Sequence, residues 1–99
     1  GKPFTPVGNL AVSGTFGPAP FDANGAETYT LQGSGFNANA VLWYSLANPG
    51  CCLGSYVITD AGGAFTLSRV TGTAGTYHFT IYSYTAPLVK LNHISFVVE

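Results

Sequence analysis

In residues 76–81 the polar Thr76, His78 and Thr80 alternate with the apolar Tyr77, Phe79 and Ile81. A period of two marks a strand with one buried face, because successive side chains leave the backbone on opposite sides. Comparable short runs rich in β-branched and aromatic residues occupy residues 10–16, 28–32, 41–46, 55–59, 64–70 and 91–98, and the alternating run itself extends over 76–84. Turn formers separate them: Gly33-Ser34-Gly35, Asn48-Pro49-Gly50, Asp60-Ala61-Gly62-Gly63, Thr71-Gly72-Thr73-Ala74-Gly75 and Ala86-Pro87. No long window repeats apolar residues at helical spacing, and Gly or Pro interrupts most that could. Seven short strands at roughly ten-residue intervals predict a single all-β domain, an antiparallel sandwich rather than a barrel. Residues 1–8 precede the first strand and read as an N-terminal extension or linker, with the domain over 9–99.

Alternation also assigns faces. Tyr77, Phe79 and Ile81 point inward, and Val41 and Trp43 are expected to join them, with Leu31, Phe65, Leu67, Ile94, Phe96 and Val98 completing the core. Phe36 is expected to close one end beneath the glycine turn, where Gly33 and Gly35 permit a tight corner. On this assignment Trp43→Ala is among the worst changes available, at about 3–5 kcal/mol. The opposite parity places Leu42, Tyr44, Leu46, His78, Tyr82, Tyr84, Leu91 and His93 on one outer face of the third, sixth and seventh strands, beside Thr80, Ser95 and Val97. Such a face is rich in Tyr and Leu and carries no permanent charge. Monomers rarely expose a large apolar patch without using it, and Tyr enrichment with charge depletion is an interface trait.

Composition sharpens that picture. Apolar residues make up 46% of the 99 residues, but charged residues only 7%, against a usual ~25%. The net charge is −1, and Lys2, Arg69 and Lys90 are scattered. No basic stripe can follow a phosphate backbone, so nucleic-acid binding is not expected. No apolar run approaches the ~18 residues of a membrane-spanning helix. The polarity is supplied by Thr, Ser, Asn and Gly, a balance that points to an extracellular, cell-surface or virion setting, and weak repulsion between copies favours association.

Candidate chemistry is sparse. Asp22, Glu27, Asp60, Glu99, His78, His93, Cys51 and Cys52 are the titratable side chains of catalytic type, and no Gly-x-Ser-x-Gly elbow is present. His78 and His93 fall on strands expected to pair, but two histidines without a third convergent ligand make a poor zinc site. No enzyme activity, metal or cofactor is expected. Asp22-Ala23-Asn24-Gly25-Ala26-Glu27 has oxygen-bearing side chains around a glycine but is far shorter than a calcium loop, and reads as an Asn-Gly turn with positive φ. Cys51 and Cys52 are adjacent. A bridge between neighbours needs strained geometry, so a Cys51–Cys52 disulfide ranks below two reduced thiols and above an intermolecular bond.

Several of these segments together have a familiar form. Gly33-Ser34-Gly35-Phe36, then Val41, then Thr59-Asp60-Ala61-Gly62-Gly63-Ala64-Phe65, then Ala74-Gly75-Thr76-Tyr77 resemble the immunoglobulin-like modules of bacterial surface and secreted proteins, which also decorate bacteriophage capsids and tails. The resemblance covers residues 28–82. It departs at Asn37-Ala38-Asn39, where the modules usually carry Pro-Gly-Glu, and at Pro49-Gly50-Cys51-Cys52-Leu53-Gly54. It implies a seven-stranded immunoglobulin-like sandwich, a Tyr77 hydroxyl bonded back to the preceding turn, and a hairpin at Gly62-Gly63. It transfers fold rather than activity. The function it implies is structural or adhesive: a non-enzymatic module that contacts a protein partner, or copies of itself, through the Tyr- and Leu-bearing face. Two alternatives remain, a carbohydrate-binding module stacking sugars on Tyr44, Tyr56, Tyr82 and Tyr84, and a passive spacer. A sugar platform usually pairs its aromatics with acidic or amide groups, whereas Leu42, Leu46, Leu91 and Val97 on the same face fit protein contact better.

Overall fold

Each alternating run forms a strand. In the computed structural model, which describes residues 5–14, 19–25, 27–48 and 52–99, the strands are β1 (Asn9–Gly14), β2 (Thr28–Ser34), β3 (Val41–Ala47), β4 (Cys52–Ile58), β5 (Phe65–Val70), β6 (Gly75–Ser83) and β7 (Val89–Val98). They make two antiparallel sheets, one ordered β1-β2-β5 and the other β4-β3-β6-β7. No helix occurs among the described residues.

The core lies between the sheets. β2 and β5 contribute Tyr29, Leu31 and Phe65, and the larger sheet contributes Leu42, Tyr44, Leu46, Tyr77, Phe79, Ile81, Phe96 and Val98. Rings meet across the gap: Phe65 and Phe79 have centroids 6.3 Å apart, and Tyr29 meets Tyr77 edge-on at 6.4 Å. Leu67 and Ile94 pack at the margin. Phe21 is a core residue from outside the strands, 3% exposed and packed on Tyr29 and Phe96.

β3 is turned the opposite way from the sequence expectation. Leu42, Tyr44 and Leu46 are buried, whereas Val41 is exposed and Trp43 half-buried on the outside. Register explains this: Tyr44 pairs with Ile81 and Leu46 with Phe79, and residues directly opposite in an antiparallel pair share a face. Turning Trp43 inward would bring Ser45 with it and expose two leucines. Inside, Tyr44 keeps a polar partner, because Arg69 Nη2 donates to its hydroxyl and the guanidinium lies 5.8 Å from its ring centroid.

Two glycine turns dock on each other at one end. Phe36 N donates to Gly63 O, and the Phe36 and Phe65 rings lie 5.8 Å apart. Thr59, 2% exposed, bonds through its hydroxyl to Asn37 O and receives Ala40 N. The Asp60–Ala64 turn is not the hairpin expected, since β4 pairs with β3 and β5 with β2; it carries the chain from one sheet to the other. The backbone amides of Ala64 and Gly62 hold the Asp60 carboxyl below its usual range. At the opposite end the Tyr77 hydroxyl donates to Thr73 O at 2.7 Å.

Segments before β1 and before β2 cover the outer edge of β7. Val7 N donates to Leu91 O, Phe21 N to Val97 O, Ala23 N to Glu99 O, and Glu99 N to Phe21 O. Asn92, buried, donates through Nδ2 to the carbonyls of Val7 and Gly8. The Asp22–Glu27 segment is a turn, as expected, but neither Asn24 nor Gly25 has positive φ. Asp22 Oδ1 accepts Asn24 N and Glu27 Oε2 accepts Asp22 N, so both carboxylates serve the backbone.

Candidate contact face

Register lays the outer face of the four-stranded sheet out in rows. Tyr56, Trp43, Tyr82 and Lys90 form one row across β4, β3, β6 and β7, and Ile58 and Val41 form the row beside it. On the other side come Gly54, Ser45, Thr80 and His93, then Cys52, Ala47, His78 and Ser95. The face is thus divided. One end is aromatic and aliphatic, and the other is small, hydroxylated and histidine-bearing.

Trp43 organises the apolar end. A Cβ at Gly54 would stand 2.8 Å from its Cζ2, so the bare backbone of β4 gives the indole a place to lie. Tyr84, beyond the end of β6, meets the indole at 5.9 Å between centroids and 37° between planes. Trp43, Tyr84, Thr85, Ala86 and Leu88 line a shallow depression of about 510 Å³. The hydroxyls beside it are already engaged: Ser83 Oγ with Thr85 Oγ1, and Thr85 Oγ1 with Pro87 O. Tyr56, Ile58 and Tyr84 are more than half exposed, and Val41 nearly so. Aromatic residues that show this much ring while flanked by aliphatics resemble an interface core more than a solvated sheet.

Of the residues expected on this face, Tyr82, Tyr84, His78 and His93 are there. Leu42, Tyr44 and Leu46 are not: they are core residues, for the register reason given above. Leu91 sits at the register shift between Ile81 and Tyr82, half-buried, and packs against the core. Trp43, Val41 and Ile58 are outer-face residues that the sequence reading missed, and Tyr56, expected only as a sugar-stacking residue, lies on the same face. Ser45 was the available signal, a hydroxyl sharing Trp43's parity. Phe36, Tyr77 and Phe79 are buried, and Gly35 takes positive φ beside Gly8.

His78 and His93 are diagonal neighbours, since His78 pairs with Ser95 and Thr80 with His93, and His78 Nδ1 shares a hydrogen bond with Ser95 Oγ at 2.9 Å. No group of three metal-ligating side chains occurs among the described residues. Cys51 lies outside the described residues, so the Cys51–Cys52 question does too; Cys52 is exposed at the start of β4. The chain matches no family model, no curated protein and no solved structure.

Proposed function

We propose that this chain is a non-catalytic immunoglobulin-like module that makes protein–protein contact through the apolar end of its four-stranded sheet, in a structural or adhesive role on a bacterial surface or a phage particle. One observation carries the contact: Trp43, Tyr56, Tyr82 and Tyr84 cluster with Val41 and Ile58 on one exposed area, with Lys90 the one charged residue in their rows among the described residues. The centre of the contact is β4, β3 and β6 rather than β3, β6 and β7. Large rigid aromatics lose little entropy on docking and dominate interface energetics. The immunoglobulin-like reading is supported by the sheet orders β1-β2-β5 and β4-β3-β6-β7 and by the Tyr77 hydroxyl bonded back to the turn before its strand.

A sugar ligand is the second reading, favoured by the Tyr56–Trp43–Tyr82 row as a stacking platform. Protein contact ranks first because the rows around those rings hold Val41, Ile58, Ser45 and Thr80, with no carboxylate or amide to grip hydroxyls. The test places a photoreactive phenylalanine at position 84 in the native assembly, with a control at Thr66 on the opposite sheet. Protein adducts at 84 and not at 66 are expected. Oligosaccharide binding abolished by Tyr82→Ala, without protein adducts at 84, would replace this reading with the second.

A further inference from the structure

Among the described residues, β4 is the one sheet edge left both open and uncharged. It reads Cys52-Leu53-Gly54-Ser55-Tyr56-Val57-Ile58, with no charge and no proline, and its register with β3 runs unbroken from Ala47–Cys52 to Val41–Ile58. These are the devices, charge, proline and bulge, by which edge strands normally avoid pairing. Alternate residues of an edge strand turn N–H and C=O outward with no strand to receive them. The other edges are treated differently. β7 is hydrogen-bonded along its outer side to residues 7 and 21–23, β1 lies against β7, and β5 carries Arg69. The outer face of β4 is also open, with Tyr56 59% exposed, and Leu53 at the start of its inner face is 43% exposed while Val57 packs against the core.

We propose that β4 pairs antiparallel with β4 of a second copy of this chain, about a two-fold axis through Ser55, joining two four-stranded sheets into one. The strand is self-complementary in that register. Leu53 falls opposite Val57 of the second copy, Cys52 opposite Ile58, and Tyr56 opposite Gly54. The last pairing sets a large ring against a bare backbone position, beside the Trp43 that already overlies it. A neutral strand selects no charged partner, and a second copy sets Leu53 against Val57 and gives the Tyr56 ring the space left by Gly54. The pairing is isologous and consumes the edge, so it stops at a dimer rather than running on as a fibre.

The inference stands apart from the contact-face reading and fails separately. Sedimentation equilibrium in reductant, over a concentration series, reads it directly. The wild-type chain is expected to show a monomer–dimer equilibrium that Tyr84→Ser leaves unchanged. Ser55→Lys, which sets two ammonium groups face to face on the axis, is expected to be monomeric with wild-type near-ultraviolet circular dichroism. Should Ser55→Lys not fold, a second variant decides: in a Cys51→Ser, Cys52→Ser background, Ser55→Cys is expected to form covalent dimers under mild oxidation while Thr66→Cys on β5 does not. A wild-type chain that stays monomeric throughout, a folded Ser55→Lys chain that dimerises as tightly as wild type, or equal cross-linking at 55 and 66 would overturn it.

Discussion

Phe79 and Trp43 show how little residue type alone says about energetic weight. Phe79 is fully buried and touches rings from both sheets, whereas the larger Trp43 lies on the outside over Gly54. Phe79→Ala is therefore expected to cost about 3–5 kcal/mol, through lost burial and a cavity that the packed sheets cannot close. Trp43→Ala is expected to cost well under that, reversing the order the sequence suggests; chemical denaturation of both variants checks it. Tyr29 offers a second test. Burial, and then the neighbouring Tyr77, push its hydroxyl up to about 12, against a smaller opposing effect of Arg69. Between the ordinary tyrosine pKa and that value the unfolded chain gives up a proton the folded chain keeps, so stability falls as pH rises through this window. Tyr29→Phe should flatten that alkaline decline, read as Tm against pH from 9 to 12.

Elements were legible where their signals are local. Gly, Pro and Asp punctuation located all seven strands to within a few residues, because turn chemistry is written in adjacent positions. Tyr77, Phe79 and Ile81 were assigned correctly because their alternate positions are polar. β3 was not, because Val41-Leu42-Trp43-Tyr44 is apolar on both parities and pairing with β6 makes the choice. The start of β4 was set too late, at Ser55, because Gly54 reads as a breaker until Trp43 is seen lying over it. The hairpin expected at Gly62-Gly63 failed for the same non-local reason: its flanking strands belong to different sheets. Phe21 was missed because it enters the core from a loop, through a parallel bridge to Val98. The docked turns are the element that two separate motifs build together. Gly63 has φ +79° and a Cβ there would fall 2.1 Å from Phe36 O. Gly63→Ala should destabilise by more than about 1 kcal/mol, with the first losses of amide-exchange protection at Phe36 and Ala64.

At the scale of the whole molecule, two sheets of unequal width divide the surface into a closed side and an open one. Residues 7 and 21–23 seal the β7 side, and the core aromatics fill the space between. The outer face of the wider sheet is left with aromatic rings at one end, small polar groups at the other, and almost no charge. The candidate face was thus half legible: its sheet, Tyr82, Tyr84 and its lack of charge followed from alternation and composition, while Tyr44 proved to be core and the place of Trp43 required the register of three strands. Trp43 is the only tryptophan in the chain, which makes fluorescence a reporter of that centre alone. Acrylamide quenching of the isolated chain, compared with the same chain in its native assembly, tests the account most directly. The account predicts ready quenching in isolation and strong protection in the assembly. Resistance to quenching in isolation, or equal quenching in both, would contradict it.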